Sequence, residues 1–370
     1  MRVVATGQGR VRVAAAAALV AAVLAALPRG AAAAEPQGPP EPGRCHALLI
    51  GGLPGEELFA RHYRDWLTRF HAYLTRTAGV PPENVVVLSG DEAFKDPIVR
   101  GPATAESVRK ALADAAAKVR PQDQFILMLV GHGVLAEEVP TLALRGPDLS
   151  ARDLADGLAS VPAANQVVLN FTSASGASVP VLARKDRVNV AATSPIEGNE
   201  TVFAEFFLRG LESRRADGEG APDAGAKDGT VTLLEAYNWA AREAALWISR
   251  LSVTESGAWR IDGKESVEVF EKLYAGPEGM PGTRRLAPES DRTKPDAPVV
   301  ISPPDGQIDE SWLARRVLSE HATLEDAGRD MGVSAIGKDG YAPVAGRKEG
   351  EPGSLARRTV LGRADRLPAE

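Results

Sequence analysis

The sequence predicts an α/β protein built on an open, mostly parallel sheet with helices on both faces and a poorly ordered C-terminal tail. Three observations carry that expectation. Short apolar runs alternate with helical stretches from about residue 44 to 272, the arrangement of strand–helix–strand units. The run FILMLV at 125–130 is continuously apolar, as in a strand covered on both faces. Beyond about Tyr274 periodicity gives way to proline, glycine and charge, a composition that buries too little apolar surface to order itself.

Taken in order, residues 1–34 read as an export signal. Arg2, Arg10 and Arg12 form a basic region, 13–27 an apolar run closed by Pro28 and Arg29, and Ala32, Ala33 and Ala34 a small-residue cleavage site. The run is short for a bilayer span, which needs roughly 20 residues. Export to a periplasm-like or extracellular space is therefore expected, with no membrane span left after cleavage. A proline-rich linker, EPQGPPEPG, fills 35–43.

The first strand is HALLIG at 46–51, followed by a helix whose Phe59, Tyr63, Trp66, Phe70 and Tyr73 recur at three- and four-residue spacing. A strand at 85–88 follows Pro81 and Pro82. Thr104 then serves as N-cap to a helix with Val108, Leu112, Ala115 and Val119 on one face. The 125–130 strand ends in Gly131-His132-Gly133. Ser150 and Asp153 frame a capping box before Leu154 and Leu158, and strands follow at 166–171 and 187–192. A helix from Thr201 carries Phe203, Phe206, Phe207 and Leu211. After a polar loop at 216–229, a long helix over 232–250 contains Tyr237, Trp239 and Trp247. In the tail, 273–370, a single short helix near 312–324 is expected. The folded domain is placed at 44–272.

Bulk composition excludes several functions. The 370-residue chain carries a net charge of −6 with 44% hydrophobic residues, so it can bury a full core. It has no basic stripe interleaved with aromatics, so no nucleic-acid surface is expected. Cys45 is the only cysteine, which rules out an internal disulfide and leaves no thiol beside a site-bearing strand. The histidines His46, His62, His71 and His321 lack metal-ligand spacing. KDGTVTLLE at 227–235 matches only the second half of a calcium loop, since Ala224 and Ala226 stand where carboxylates belong. Thr232 and Glu235 fit a capping box better. Neither metal nor cofactor is expected.

In an open parallel sheet, ligands bind beyond the carboxyl ends of the strands where strand order reverses. His132 and Ser173 both fall at such ends. His132 is bracketed by glycines, which let a substrate approach the main chain. Ser173 lies in NFTSASGAS, where an apolar strand breaks into small hydroxyl residues; Phe171 and Ser175 occupy the positions that a Gly-x-Ser-x-Gly elbow would require as glycine.

A strand ending in His-Gly (127–133), a capped helix at Ser150 and a second strand ending in a Ser-Gly turn (167–176) resemble the legumain-type cysteine peptidases of the caspase-like fold. The likeness spans about 44–262. It implies a dyad of the His-Gly histidine and a cysteine in a Cys-x-Ser-Gly context. The histidine carries over to His132, with the Gly133 N–H as oxyanion donor. The cysteine carries over to Ser173, so the nucleophile is replaced. The resemblance also places Thr193 and Ser194 where related peptidases build part of the pocket for the residue before the scissile bond; Arg145, Glu197 and Asn199 are further neighbours without assigned roles.

A thiol with pKa near 8.5 is a few per cent thiolate at neutral pH, whereas serine has no comparable ionised fraction and needs a positioned base. Three expectations follow: a degenerate peptidase-family protein acting as a binding module for a peptide or protein ligand, an active serine-type hydrolase using Ser173 and His132, or a purely structural protein of the envelope. The sequence sets no oligomeric state.

Overall fold

The computed structural model describes residues 42–136, 139–195, 201–220, 227–248, 251–253, 259–261, 264–265, 321–337 and 340–368. The export signal, most of the linker, Glu197, Asn199, the last residues of the expected domain (266–272) and 273–320 of the tail lie outside the described residues.

In chain order, β1 (Cys45–Gly51) leads through Gly52 into α1 (Glu57–Ala72), then β2 (Val85–Ser89), β3 (Val99–Pro102) and α2 (Ala105–Lys118). Next come β4 (Gln124–Gly131), the small strands β5 (Gly133–Ala136), β6 (Val139–Leu142) and β7 (Leu149–Ser150), and α3 (Ala151–Ser160). Strand β8 (Asn165–Thr172) is followed by the single turn α4 (Val179–Leu182), β9 (Arg187–Ala191), α5 (Phe203–Glu212) and α6 (Leu233–Ile248). After three short strands, β10 (Leu251–Val253), β11 (Trp259–Ile261) and β12 (Lys264–Glu265), the C-terminal part contributes β13 (Thr323–Glu325) and β14 (Val333–Ser334).

The main sheet runs β14-β13-β9-β8-β4-β1-β2-β3. Every neighbouring pair from β3 to β9 is parallel; β13 joins β9 antiparallel, as does β14 to β13. This is the predicted open, mostly parallel α/β sheet. Strand order reverses between β1 and β4, and His132 follows the second of these strands.

Continuous apolarity in β4 has the predicted cause. Ile126, Met128 and Val130 enter the core that contains α1, α5 and α6 residues, while Phe125, Leu127 and Leu129 enter the core that contains α2 and α3 residues. Successive side chains point to opposite faces, and both faces are covered. The aromatic stripe of α1 buries Tyr63, Trp66 and Phe70, and Tyr73 continues it in the π-helical turn that follows. Local signals also match: Ser107 N–H donates to Thr104 Oγ1, Ser150 and Asp153 close a reciprocal box, and Thr232 and Glu235 do the same for α6.

Part of the C-terminal segment is ordered. Residues 321–337 and 340–368 are folded onto the domain, and Thr323–Glu325 is a strand where the end of a short helix was expected; 312–320 lies outside the described residues. Leu324, Ile336 and Leu361 are buried, and Asp326 accepts N–H groups from Gly353, Leu355 and Ala356. The physical reason is that a three-residue strand and a wrapped segment are fixed by main-chain bonds and a few isolated apolar contacts, which leave no periodic trace in sequence.

Candidate active site

His132 follows β4 directly. Gly131 before it has φ +150°, and a Cβ there would lie 3.1 Å from Gly52 Cα, so the turn requires glycine. The imidazole of His132 meets Phe59 edge-on at a centroid distance of 5.1 Å and Tyr63 at 5.9 Å. Phe59 and Tyr63 lie one turn apart on α1, so the same helical stripe that fills the core also grips the ring. His132 Nε2 lies 2.8 Å from Pro54 O. A carbonyl oxygen only accepts, so Nε2 carries the proton and Nδ1 of the neutral ring is the basic nitrogen.

Gly133 sits where no side chain fits. An added Cβ would lie 2.1 Å from Ser173 O and 2.7 Å from Thr172 Oγ1. The Gly133 N–H donates to Ser173 Oγ at 3.2 Å. In register Gly131 opposes Thr172, so parallel pairing of β4 with β8 brings His132, Gly133 and Ser173 to one rim. Ser173 is 3% exposed. Ala174 then takes the left-handed conformation (φ 50°, ψ 22°) and turns the chain into a short 3-10 helix, Ser175–Ser178; such a residue stores about 1–2 kcal/mol of strain.

Hydroxyl groups fix this turn. Thr193 N–H donates to Ser175 Oγ at 3.1 Å, and Ser175 N–H donates to Thr193 Oγ1 at 3.0 Å. Thr193 O accepts the Gly176 N–H at 2.9 Å, and Thr193 Oγ1 donates to Thr172 O at 3.3 Å. Beneath the turn, Thr172 Oγ1 donates to Asn170 Oδ1, Asn170 Nδ2 to Ser178 Oγ, and Ser178 Oγ to Ser175 O. Thr193, expected as a substrate-binding residue, is fully buried with its main-chain and hydroxyl groups committed to holding the Ser-Gly turn. Its role here is that of a clamp. Ser194, the other such residue, is half-buried at the same rim.

Between this turn and the β5–β7 strands lies a cavity of about 20 Å³ lined on one side by Asn170, Thr172, Ser173, Ser175 and Ser178. It has room for roughly one water molecule. Among the described residues no group of three or more His, Cys, Asp or Glu is placed to hold a metal ion. Cys45 starts β1, at the rim opposite His132, and burial pushes its thiol up to about 12. A thiolate there is strongly disfavoured.

Three features of the site were not read from sequence: the Pro54 carbonyl, the aromatic grip of Phe59 and Tyr63, and the Asn170–Ser178 network. The glycines of GGLPG at 51–55 were the available signal for the first, because they let the β1–α1 loop fold back over His132. The other two depend on neighbours remote in the chain.

No family model matches the chain, and no curated protein matches it. Solved structures do. A structural-genomics target from Geobacter sulfurreducens is 15% identical, with 46% of this chain and 83% of that chain covered and a TM-score of 0.33. The Drosophila initiator caspase Dronc is 13% identical over 60% of this chain and 82% of its own, with a TM-score of 0.37. A secreted C11 cysteine protease from Bacteroides thetaiotaomicron, solved with an irreversible peptide inhibitor, is 12% identical over 64% and 80%, with a TM-score of 0.27. With all three TM-scores below 0.5, what the site does is read from its own geometry.

Proposed function

We propose that this chain is an exported, caspase-like relative of the legumain-type peptidases that keeps the frame of the active site but not a working nucleophile. It binds a peptide or protein segment at the strand-end rim and does not cut it. One contact carries the reading. In this reading the Gly133 N–H is the donor for a developing oxyanion, and it donates instead to the Oγ of Ser173, which is 3% exposed. The hydroxyl that would attack takes up the donor meant for the oxyanion. A cysteine at this position would ionise in part without help; a serine must pass its proton to a base within hydrogen-bond reach.

One observation favours the second reading, a serine-type hydrolase. The Pro54 contact holds the proton on Nε2 of His132, so Nδ1 is the ring nitrogen with base character.

The test exposes the purified mature protein to a fluorophosphonate probe and a peptide library, beside Ser173→Ala, His132→Ala and Ser173→Cys. Negligible labelling and cleavage is expected for the wild type and both alanine variants. Ser173→Cys is expected to gain peptidase activity that disappears when His132→Ala is added. Wild-type labelling that is lost in both alanine variants would establish the hydrolase instead. A correctly folded Ser173→Cys protein with no turnover would end the proposal.

A further inference from the structure

The strand that leaves the site, β5, runs from Gly133 to Ala136 at one edge of the three-stranded sheet β5-β6-β7. In an antiparallel ladder, opposed residues alternate between pairs that exchange both main-chain bonds and pairs whose N–H and C=O groups point away from each other. Ala143 N–H donates to His132 O at 3.0 Å, which makes that pair an exchanging one. The register continues Gly133↔Leu142, Val134↔Thr141, Leu135↔Pro140 and Ala136↔Val139. Gly133 and Leu135 therefore turn their main-chain groups outward. Two independent facts agree. Pro140 has no N–H to give Leu135, and the Gly133 N–H reaches outside the ladder to Ser173 Oγ.

We infer that β5 is a docking edge for an extended, apolar polypeptide segment, which adds to it as a further strand and runs toward the Ser173 rim. The occupant follows from the chemistry offered. The outward groups along the edge are the Gly133 C=O and the Leu135 N–H and C=O, a pattern matched by the main chain of another extended segment. Val134 and Leu135 flank it at 46% and 45% exposure, so both faces of the added strand meet apolar side chains. Among the described residues no strand pairs with this edge. The inference rests on the proposed peptide-binding reading and names the surface by which the peptide is held.

Leu135→Pro tests it, because the lost N–H is unused in the β5–β6 ladder and Val134 before it is already extended, as a residue preceding proline must be. The probe is a set of capped, fluorescently labelled octapeptides with Val, Ile or Leu alternating with Ser or Thr. Wild type is expected to bind members of the set in fluorescence polarisation, with slowed hydrogen exchange at the Leu135 amide. Leu135→Pro is expected to weaken binding at least tenfold while keeping the wild-type melting temperature. Should that variant fail to fold, N-methylating alternate amides of the best peptide must cause the same loss. Equal binding by Leu135→Pro or by the N-methylated peptide would overturn the inference. So would a dimer of this chain that protects Leu135 without peptide. Turnover by Ser173→Cys with no octapeptide binding at β5 would remove the edge and leave the site reading standing. Binding at β5 with an inert Ser173→Cys would do the reverse.

Discussion

Gly133 shows how tightly the rim is built. A methyl group there would press against the Ser173 carbonyl and the Thr172 hydroxyl, and the carbonyl belongs to backbone that is itself pinned by the Thr193 clamp. Gly133→Ala is therefore expected to destabilise the fold by about 2 kcal/mol or more, as overpacking does in a rigid surround. Chemical denaturation would measure it, and a loss below 0.5 kcal/mol would show that the β4–β8 contact gives way easily. His62 sets a second residue-scale expectation. Burial beside Trp66 lowers its pKa from 6.5 to about 4, against the pull of Glu205. The folded protein thus binds this proton less readily than the unfolded chain, and stability falls as pH drops from 6.5 toward 4. The full loss is on the order of 3 kcal/mol. Burial also lowers His46 and His71, and their partners hold Asp91, Asp123 and Asp153 below the usual carboxylate range, so acid acts on all of these in the same direction. The His62 share is read as the difference between wild type and His62→Gln: the melting temperature of wild type should fall more steeply across that window, and parallel curves would refute the assignment.

At the scale of elements, short-range chemistry marks where α2, α3 and α6 begin. The Ser150–Asp153 box opens α3, which lies beside the hydroxyl cavity through Ala151 and Leu154. Ser150→Ala removes the acceptor of the Asp153 N–H and is expected to cost about 1 kcal/mol, measurable by thermal or urea unfolding; an unchanged midpoint would mean that packing alone holds the helix start. The boundaries of α2, α3 and α6 were legible because each has a Thr or Ser cap with a local acceptor geometry. Strand β3 and the β5–β7 sheet were not, because strands of two to four residues carry no usable period and β5 exposes apolar side chains on both sides. Strand β3, with Arg100 exposed and Val99 only half-buried, takes its place from pairing with β2.

For the whole molecule, the C-terminal part closes what would otherwise be an open edge. β13 covers β9, Tyr237 OH donates to Ala322 O at 2.8 Å, and Gln124 Nε2 donates to Val360 O at 3.0 Å. Ending the chain at residue 320 would expose β9 and uncover Tyr237 and Leu234 beside it. Such a protein is expected to be insoluble or to bind a hydrophobic dye strongly, with sharply increased sensitivity to limited proteolysis. A soluble, protease-resistant truncation would show that this part is dispensable. Asp326→Ala is a milder version, leaving three N–H donors without their carboxylate at an expected cost of about 3 kcal/mol.

By itself the sequence determined the class of the sheet, the strand that runs through its centre, the helix caps and the rim on which His132 and Ser173 fall. Those features rest on local chemistry and on apolar periodicity, which neighbouring residues encode together. Only the tertiary structure decided that Pro54 orients the imidazole, that Thr193 locks a turn, that Gly133 is engaged by Ser173, and that residues beyond 320 belong to the fold. Each of these is a contact between segments far apart in the chain, and its geometry is set by how strands register and pack, which no short window of residues contains.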